Sequence, residues 1–173
     1  ALLILDEIQS GFGRSGQFFA HQHADIQADL ITTAKGMGNG FPVAGVLIAP
    51  RIQASPGLLG TTFGGNHLAC AAALAVLETL EAEDLLQHVD QVNKFLVAEL
   101  ETIPAIKQIK GMGLMLGVEF DFPIKALRNK LLFEEDIFTG NSTNPNLLRI
   151  LPPLCITEAQ LAPFVAALKK QLV

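Results

Sequence analysis

The 173-residue sequence contains no tryptophan and no tyrosine, and its basic residues are outnumbered by its acidic ones. Twelve lysines and arginines against 17 aspartates and glutamates give a net charge of -5, so the chain offers no basic surface suited to nucleic acid. Glycine, proline or charge interrupts every apolar run well before the length of about 20 residues that a membrane-spanning helix needs. We therefore expect a soluble globular protein, with the cytoplasm as its default compartment and no membrane partner.

Cysteine is also scarce, because the chain has only Cys70 and Cys155. They lie far apart, and neither belongs to a CxxC pair or to a Cys/His spacing typical of zinc. We expect two isolated buried thiols rather than a disulfide or a metal site. The four histidines show no ligand spacing either, so we predict ordinary surface or loop histidines and no metal: His21, His23, His67 and His88.

The sequence opens on an apolar stretch, with no initiator methionine, signal peptide or charged leader. A natural protein rarely begins inside a core element. We therefore expect this sequence to be the C-terminal portion of a longer protein.

Hydrophobic periodicity predicts an α/β fold. Apolar runs at residues 2–5, 30–34 and 43–48 are typical of strands, the first of the kind that is buried in a parallel sheet. Residues 67–83 and 85–100 predict two helices, the second with an apolar stripe at helical spacing. After Pro104 the pattern predicts strands at 106–110, 114–120 and 147–151, a helix at 124–134 and a last helix. We place a domain boundary in the helical stretch and expect domains at residues 1–88 and 89–173.

The last helix carries two opposing signals. Thr157 and Gln160 have the spacing of a capping box, which predicts a helix start. Pro163 falls inside that helix and removes a backbone donor, so we expect either a kink or a later start.

Lys35 and Asp6 are the chain's main candidate site residues. Lys35 ends an apolar run and is followed by glycines, so a flat ligand could approach it closely. Asp6 ends the first apolar run. An amine and a carboxylate, each on a strand end, are the two groups needed to hold pyridoxal phosphate: the lysine as a Schiff base and the acid beside the pyridine nitrogen. Taken singly, Lys35 could be a solvated loop charge and Asp6 a cap.

Three motifs raise the pair above these alternatives. Residues 6–11 (DEIQSG), 34–36 (AKG) and 60–66 (GTTFGGN) closely resemble class III (ornithine-type) aminotransferases in wording, order and separation, and the resemblance covers essentially the whole chain. It implies a fold-type I large domain, a mostly parallel sheet with helices, followed by a smaller α+β C-terminal domain. It also implies pyridoxal 5'-phosphate as the cofactor and Lys35 as the Schiff-base lysine that moves the proton.

The resemblance also assigns cofactor contacts. Asp6 would pair with the pyridinium nitrogen, Ile8 would pack beneath the ring, and Gln9 would hydrogen-bond the ring's phenolic oxygen. Ile8 is equally compatible with a plain core position. Thr62 would reach the cofactor phosphate of the neighbouring subunit, which implies a homodimer with shared active sites, although a generic glycine-rich turn would look similar.

Arg149 resembles the family arginine that grips a substrate carboxylate. A guanidinium on a short strand can bind a carboxylate bidentately. The alternative is a surface arginine in an ion pair, although its apolar flanks disfavour full exposure.

Within the family, residues 36–42 and 144–153 look most like acetylornithine-type enzymes. That implies transfer of an amino group from an N2-acylated ornithine, acetyl or succinyl, to 2-oxoglutarate in arginine biosynthesis. Ornithine and 4-aminobutyrate aminotransferases share these motifs and stay open as alternatives. Since the phosphate-cradling loop, the ring-stacking aromatic and an acidic substrate residue cannot be assigned in this sequence, we also expect the segment alone to be inactive.

A competing enzyme class is a dinucleotide-binding (Rossmann) oxidoreductase. Residues 11–16 (GFGRSG) match GxGxxG literally and follow an apolar strand. Five residues separate the strand from the first glycine, however, and residues 17–29 lack a sustained helical stripe. Both features disfavour the dinucleotide interpretation.

Overall fold

The computed structural model describes residues 1–53, 55, 57 and 60–172, which form two compact units, Ala1–Leu86 and Gln87–Val173. The α/β fold class is confirmed. The predicted domain boundary at residues 88 and 89 stays a prediction.

The first unit is built on a three-stranded sheet in the order β1-β2-β3. Its strands are β1 (Ile4–Asp6), β2 (Leu30–Thr33) and β3 (Gly45–Ile48). β1 pairs with β2 in parallel, and β2 pairs with β3 antiparallel. Helix α1 (His67–Ala82) follows, and the Asn66 side chain caps it by accepting a hydrogen bond from the Ala69 amide at 3.0 Å. Asn66 thereby satisfies one of the free amides of the first turn.

The predicted burial of residues 2–5 is wrong. Leu2, Leu3 and Ile4 are 56%, 42% and 57% exposed. β1 is an edge strand that pairs only with β2 among the described strands. Val46 and Leu47 of β3 are half exposed as well, so the described part of this unit leaves much of the sheet uncovered.

The second unit packs three helices against an antiparallel sheet in the order β4-β5-β6. The elements in chain order are α2 (Leu85–Glu101), β4 (Ile106–Met112), β5 (Met115–Phe120), α3 (Lys125–Glu134), β6 (Leu147–Ile150) and α4 (Glu158–Gln171). The helical stripe predicted for α2 is confirmed, because Val89, Val92, Leu96 and Leu100 are all fully buried in the unit's single core cluster.

The capping box of α4 is confirmed. The Gln160 amide donates to the Thr157 hydroxyl at 3.3 Å, and the Thr157 amide donates to the Gln160 side chain at 2.9 Å. The helix begins at Glu158, so the later start expected from Pro163 does not occur. Pro163 lies in the second turn and leaves the Ala159 carbonyl without its helical donor. Both residues are exposed, so water can reach that carbonyl.

The prediction of two buried thiols is wrong, since Cys70 and Cys155 are both free and exposed. Cys70 lies on the exposed side of α1, and Cys155 lies in the loop between β6 and α4. The apolar residues beside each cysteine suggested burial. A helix can nevertheless place apolar neighbours of Cys70 on its exposed side. No helix among the described residues is long and apolar enough to cross a membrane.

Candidate active site

Asp6 and Lys35 lie at the same edge of the first sheet. β1 and β2 run parallel, and Asp6, the last residue of β1, is the register partner of Thr32. Lys35 follows Thr32 by three residues, just beyond the end of β2. The carboxyl ends of parallel strands share one edge, which is where open α/β sheets place their ligand-binding groups. Both residues are exposed and accessible to a ligand.

The backbone at Lys35 has an unusual conformation for a residue with a side chain. Its φ is +44°, in the left-handed region, and it opens a short 3-10 turn, Lys35–Met37. This conformation costs about 1–2 kcal/mol relative to the right-handed one. Hydrogen bonds from the Met37 amide to Ala34 O at 3.0 Å and from the Gly38 amide to Lys35 O at 3.1 Å hold the turn. Strain that the surroundings maintain in this way is concentrated at functional sites.

Gly38 lets the chain fold back tightly after this turn. A Cβ atom at residue 38 would lie 2.5 Å from Cγ1 of Val43 and even closer to the backbone oxygen of Phe41. The φ of Gly38 is −112°, so glycine is needed here for space and not for backbone conformation. Gly40 is the opposite case, with a φ of +102° and no atom within 4 Å of an added Cβ.

Asp6, Ile8 and Gln9 lie together on the turn that leaves β1. The Ile8 amide donates to Oδ1 of Asp6 at 3.0 Å, and the Gly11 amide donates to the Glu7 carbonyl at 3.0 Å. Ile8 and Gln9 are half-buried. The structure therefore brings three of the predicted cofactor-binding residues to the sheet edge beside Lys35.

Glu7 is a residue of this turn that sequence reasoning missed. It is 3% exposed, and its carboxylate accepts hydrogen bonds from the Ala20 amide (3.1 Å), the His21 amide (2.8 Å) and the Ser10 hydroxyl. The Nδ1 atom of His21 lies 3.1 Å from Oε1. Burial alone would raise the pKa of Glu7, but the hydrogen bonds from Ser10, His21 and Ala20 together lower it below its ordinary value. Strand alternation was the available signal, because it turns residue 7 away from the face of Asp6.

The glycine-rich loop at residues 11–16 is a packed turn and not a dinucleotide-binding loop. Phe12, Gly13 and Gly16 have positive φ values of 56°, 84° and 89°. The ring of Phe12 packs against those of Phe18 and Phe19, with centroids 5.0 and 6.2 Å away. The motif is followed by bends and a 3-10 turn, Ala20–Ala24, where the dinucleotide fold requires a helix start. The structure does not support the competing Rossmann interpretation.

Thr62 lies in an exposed turn shortly before the start of α1. Gly65 in this turn has a φ of +68°, and Phe63 is 79% exposed. Within the described part of the chain, no hydrogen bond or ion pair joins Thr62 to Asp6 or Lys35. Its assignment to a phosphate rests on the motif.

Arg149 belongs to the second unit and is half-buried on β6. Its Nη1 atom lies 3.4 Å from the Asn141 carbonyl, and its backbone pairs with Gly140. The residue lines a cavity of about 480 Å³ whose other walls are mostly apolar, among them Ile137, Phe138, Leu151, Pro152 and Phe164. A guanidinium beside an apolar cavity can bind a carboxylate more strongly than one in open water, because the contact is less screened.

The histidines are more constrained than predicted. His21 is half-buried against Glu7 and stacks on Phe19 with ring centroids 5.5 Å apart, and His88 is half-buried with Nε2 2.8 Å from the Ile156 carbonyl. The prediction of ordinary surface or loop histidines does not hold for His88, which lies half-buried on α2, whereas His21 lies in the segment between β1 and β2. Among the residues that the structure describes, no group of His, Cys, Asp and Glu could hold a metal ion.

Comparison with known proteins gives a consistent result. The family model described as "Aminotransferase class-III" matches residues 1–172. The acetylornithine aminotransferase of Bacillus subtilis is 43% identical over 99% of this chain and 46% of its own length. That of Mycobacterium tuberculosis (strain H37Rv) is also 43% identical, over 97% of this chain and 43% of its own length. The chain thus spans less than half the length of these curated relatives.

Solved structures agree. An ornithine aminotransferase from Toxoplasma gondii matches with a TM-score of 0.87 at 32% identity, over 99% of this chain and 43% of that one. An acetylornithine aminotransferase from Elizabethkingia anophelis matches with a TM-score of 0.85 at 32% identity, over 99% and 45%.

Proposed function

Because this chain belongs to the class III aminotransferases, we propose that the whole protein is a pyridoxal phosphate-dependent transaminase whose Schiff-base lysine is Lys35. The observation that carries the proposal is the placement of Asp6 and Lys35 at the carboxyl ends of paired parallel strands. The donor set fits the cofactor, since a carboxylate suits the pyridinium nitrogen and an exposed amine suits a carbonyl carbon. Pyridoxal phosphate, when bound, supplies that carbonyl and a ring that accepts electrons.

Lys35 performs the proton transfer. With the cofactor bound, its amine would be the group that holds it covalently, and the same nitrogen would accept and return the proton at the substrate carbon. The tight turn at residues 35–38 fixes the position of the Lys35 backbone. The flexible side chain then carries the amine from the backbone to the cofactor. Asp6 would lie beside the ring nitrogen of a bound cofactor and keep it protonated, because a neighbouring carboxylate favours the charged form.

Three further residues complete the proposed assignments around the cofactor. Ile8 and Gln9 lie on the turn that follows β1, where Ile8 would pack beneath the ring of a bound cofactor and Gln9 would donate to its phenolic oxygen. Thr62 would bind the phosphate of the cofactor held by the neighbouring subunit. This assignment implies that the whole protein is a homodimer.

Arg149 orients the substrate by its carboxylate. Its position beside a mostly apolar cavity, which Asp136, Thr139 and Gln160 also line, supports that role, since a guanidinium pairs with a carboxylate bidentately when water is partly excluded. The guanidinium of Arg149 is a cation that offers an anion a planar fork of N–H donors.

We place the reaction as amino transfer from an N2-acylated ornithine to 2-oxoglutarate, in arginine biosynthesis and in the cytoplasm. The relatives at 43% identity bear the name acetylornithine aminotransferase, which supports this substrate class. Ornithine is the second candidate, supported by the TM-score of 0.87 to the Toxoplasma gondii enzyme. 4-Aminobutyrate is a third amine to compare.

The test is a glutamate-release assay on the whole protein with 2-oxoglutarate as acceptor. N2-acetylornithine, N2-succinylornithine, ornithine and 4-aminobutyrate are compared as donors by kcat/KM. An acylated ornithine should be the best donor, and Lys35→Ala should abolish release while Lys94→Ala, an exposed lysine on α2, should not. A preference for ornithine would favour the second candidate, and no release from any donor would reject the proposal.

A further inference from the structure

The turn after β1 is held by a buried carboxylate that has no assigned role. Glu7 stands between Asp6 and Ile8, and its carboxylate contacts residues from two separate segments. Within its own turn it accepts from the Ser10 hydroxyl, and across the loop it accepts from the amides of Ala20 and His21. Both of its oxygens are therefore engaged in a site that is almost closed to water.

These contacts fix the turn on which the proposed ring contacts lie. The Glu7 amide donates to the Thr32 carbonyl at 3.0 Å, which extends the β1-β2 pairing by one residue. Its carbonyl accepts from Gly11, and a Cβ at Gly11 would lie 2.8 Å from that same oxygen. The backbone of Glu7 thus belongs to the sheet, while its side chain ties down both ends of the loop. Gln9 lies inside this closed arrangement.

We propose that Glu7 is a positioning residue that holds Gln9 in place for its hydrogen bond to the cofactor ring. This inference rests on the proposed function and deepens it. Strand alternation turns the Glu7 side chain away from the face of Asp6, so it would not contact the ring of a bound cofactor directly. It acts through the turn: without its carboxylate, Ser10 and the 20–21 amides lose their common acceptor, and Gln9 loses its fixed position. These donors are half-buried, so losing their acceptor leaves them only partly solvated, and the turn should rearrange to expose them to water.

A glutamate suits residue 7 better than a glutamine, because the groups that face its side chain are hydrogen-bond donors. Hydrogen bonds to an ionised acceptor are about twice as strong as neutral ones. A glutamine would present one NH2 group to amides that are themselves donors, so at least one contact would become repulsive. Glu7→Gln keeps nearly the same shape. It therefore removes the hydrogen bonds that join Ser10, through Glu7, to the amides of Ala20 and His21 without creating a cavity.

The experiment uses the whole protein loaded with pyridoxal phosphate. The first readout is the pH midpoint of the absorbance change of the bound cofactor, which responds to a donor at the phenolic oxygen. The second is the Kd for the cofactor, and the third is Tm. The variants are Glu7→Gln, Gln9→Ala and the double variant, with Glu101→Gln as a control because Glu101 is an exposed glutamate at the end of α2.

Glu7→Gln should shift the pH midpoint in the same direction as Gln9→Ala and weaken cofactor binding by about tenfold, in the range found for outer residues that orient direct ligands. Added to Gln9→Ala, it should give no further shift in the midpoint, since both changes remove one interaction. Glu101→Gln should change neither quantity.

Two results would overturn the inference. If Glu7→Gln lowers Tm but leaves the midpoint and the Kd unchanged, Glu7 is structural only. If the two midpoint shifts add in the double variant, Glu7 does not act through Gln9. Should Glu7→Gln not fold, Ser10→Ala removes a single donor and must give a smaller shift in the same direction, and its absence would reject the inference. Failure of the wild-type protein to show a cofactor band would instead reject the proposed function.

Discussion

Replacing Gly38 with alanine tests how the loop after β2 presents Lys35. The added Cβ would lie 2.5 Å from Cγ1 of Val43 and closer still to the Phe41 carbonyl oxygen, whereas real Cβ contacts essentially never fall below 3.0 Å. The nearest obstacle is backbone, which cannot rotate away as a side chain can. The loop must therefore open, and the hydrogen bond from the Phe41 amide to the Gly38 carbonyl at 3.0 Å is the contact that would yield first.

The magnitude follows from two opposing effects. At a φ of −112° alanine has no backbone penalty, and its smaller unfolded-state entropy would stabilise the protein by about 0.4–1 kcal/mol. Overpacking against fixed atoms costs about 1–3 kcal/mol. We expect the steric cost to win and Gly38→Ala to destabilise the protein by about 1.3 kcal/mol, the difference between the midpoints of these two ranges (about 2 and about 0.7 kcal/mol).

Gly40→Ala is the matched control. It adds the same methyl group in open space but at a φ of +102°, so its cost of about 1–2 kcal/mol is conformational. Only Gly38→Ala pushes directly on the turn that contains Lys35.

The assay combines urea unfolding with the rate of cofactor capture, followed by absorbance on the whole protein. Gly38→Ala should slow capture by about tenfold, equivalent to about 1.4 kcal/mol, while Gly40→Ala should lose stability without slowing capture. Wild-type stability and capture in Gly38→Ala would refute the reasoning.

Three further predictions concern other parts of the chain. Arg149→Lys keeps the charge but loses the bidentate fork, so KM for the carboxylate substrate should rise about 10- to 100-fold in steady-state kinetics, and an unchanged KM would exclude Arg149 as the carboxylate ligand. The folded pKa of Glu7 lies below the ordinary 4.5, so its stabilising effect is complete above pH 4.5 and is lost as the pH falls through the lower folded value. As the pH falls through 4.5 and below, urea denaturation should therefore show a shallower loss of stability for Glu7→Gln than for wild type, and parallel curves would contradict this. Leu96→Ala, at a fully buried position of the α2 stripe, should cost about 2–5 kcal/mol by urea unfolding, whereas the same change at partly exposed Leu132 should cost far less.

The sequence pattern was sufficient to predict the features that depend on residues close together in sequence. The α2 stripe appeared at its predicted positions because a period of 3.6 residues can only place those side chains on one face. The capping box of α4 also formed, since its hydrogen bonds join residues three apart. Pro163 did not displace the start, because a proline in an exposed second turn costs one hydrogen bond that water can replace.

Burial was harder to predict, because it depends on neighbours that the local sequence does not name. Residues 2–5 read as a buried strand, yet three of them are 42–57% exposed on an edge strand. The predicted burial of Cys70 and Cys155 was wrong for the same reason.

The candidate site contains residues that could be predicted from the sequence and one whose contacts could not. Asp6 and Lys35 could be paired from sequence, because each ends an apolar run and the strands proved parallel. For Glu7, strand alternation indicated only the direction of the side chain. Its hydrogen-bond partners could not be predicted, since two of the donors lie 13 and 14 residues away in sequence. The assignments of Ile8, Gln9, Thr62 and Arg149 remain predictions that the experiments above address.

The most direct test of Lys35 as the attachment site is reductive trapping. The chain, and separately the whole protein, is incubated with pyridoxal phosphate, reduced with borohydride, digested and analysed by mass spectrometry. A dominant pyridoxyl adduct on Lys35 in the whole protein, absent in Lys35→Ala and unaffected by Lys94→Ala, is the predicted result. The same adduct on residues 1–173 alone would show that this segment already forms part of the site. Adducts spread evenly over the lysines of the whole protein, or a dominant adduct elsewhere, would contradict the assignment of Lys35.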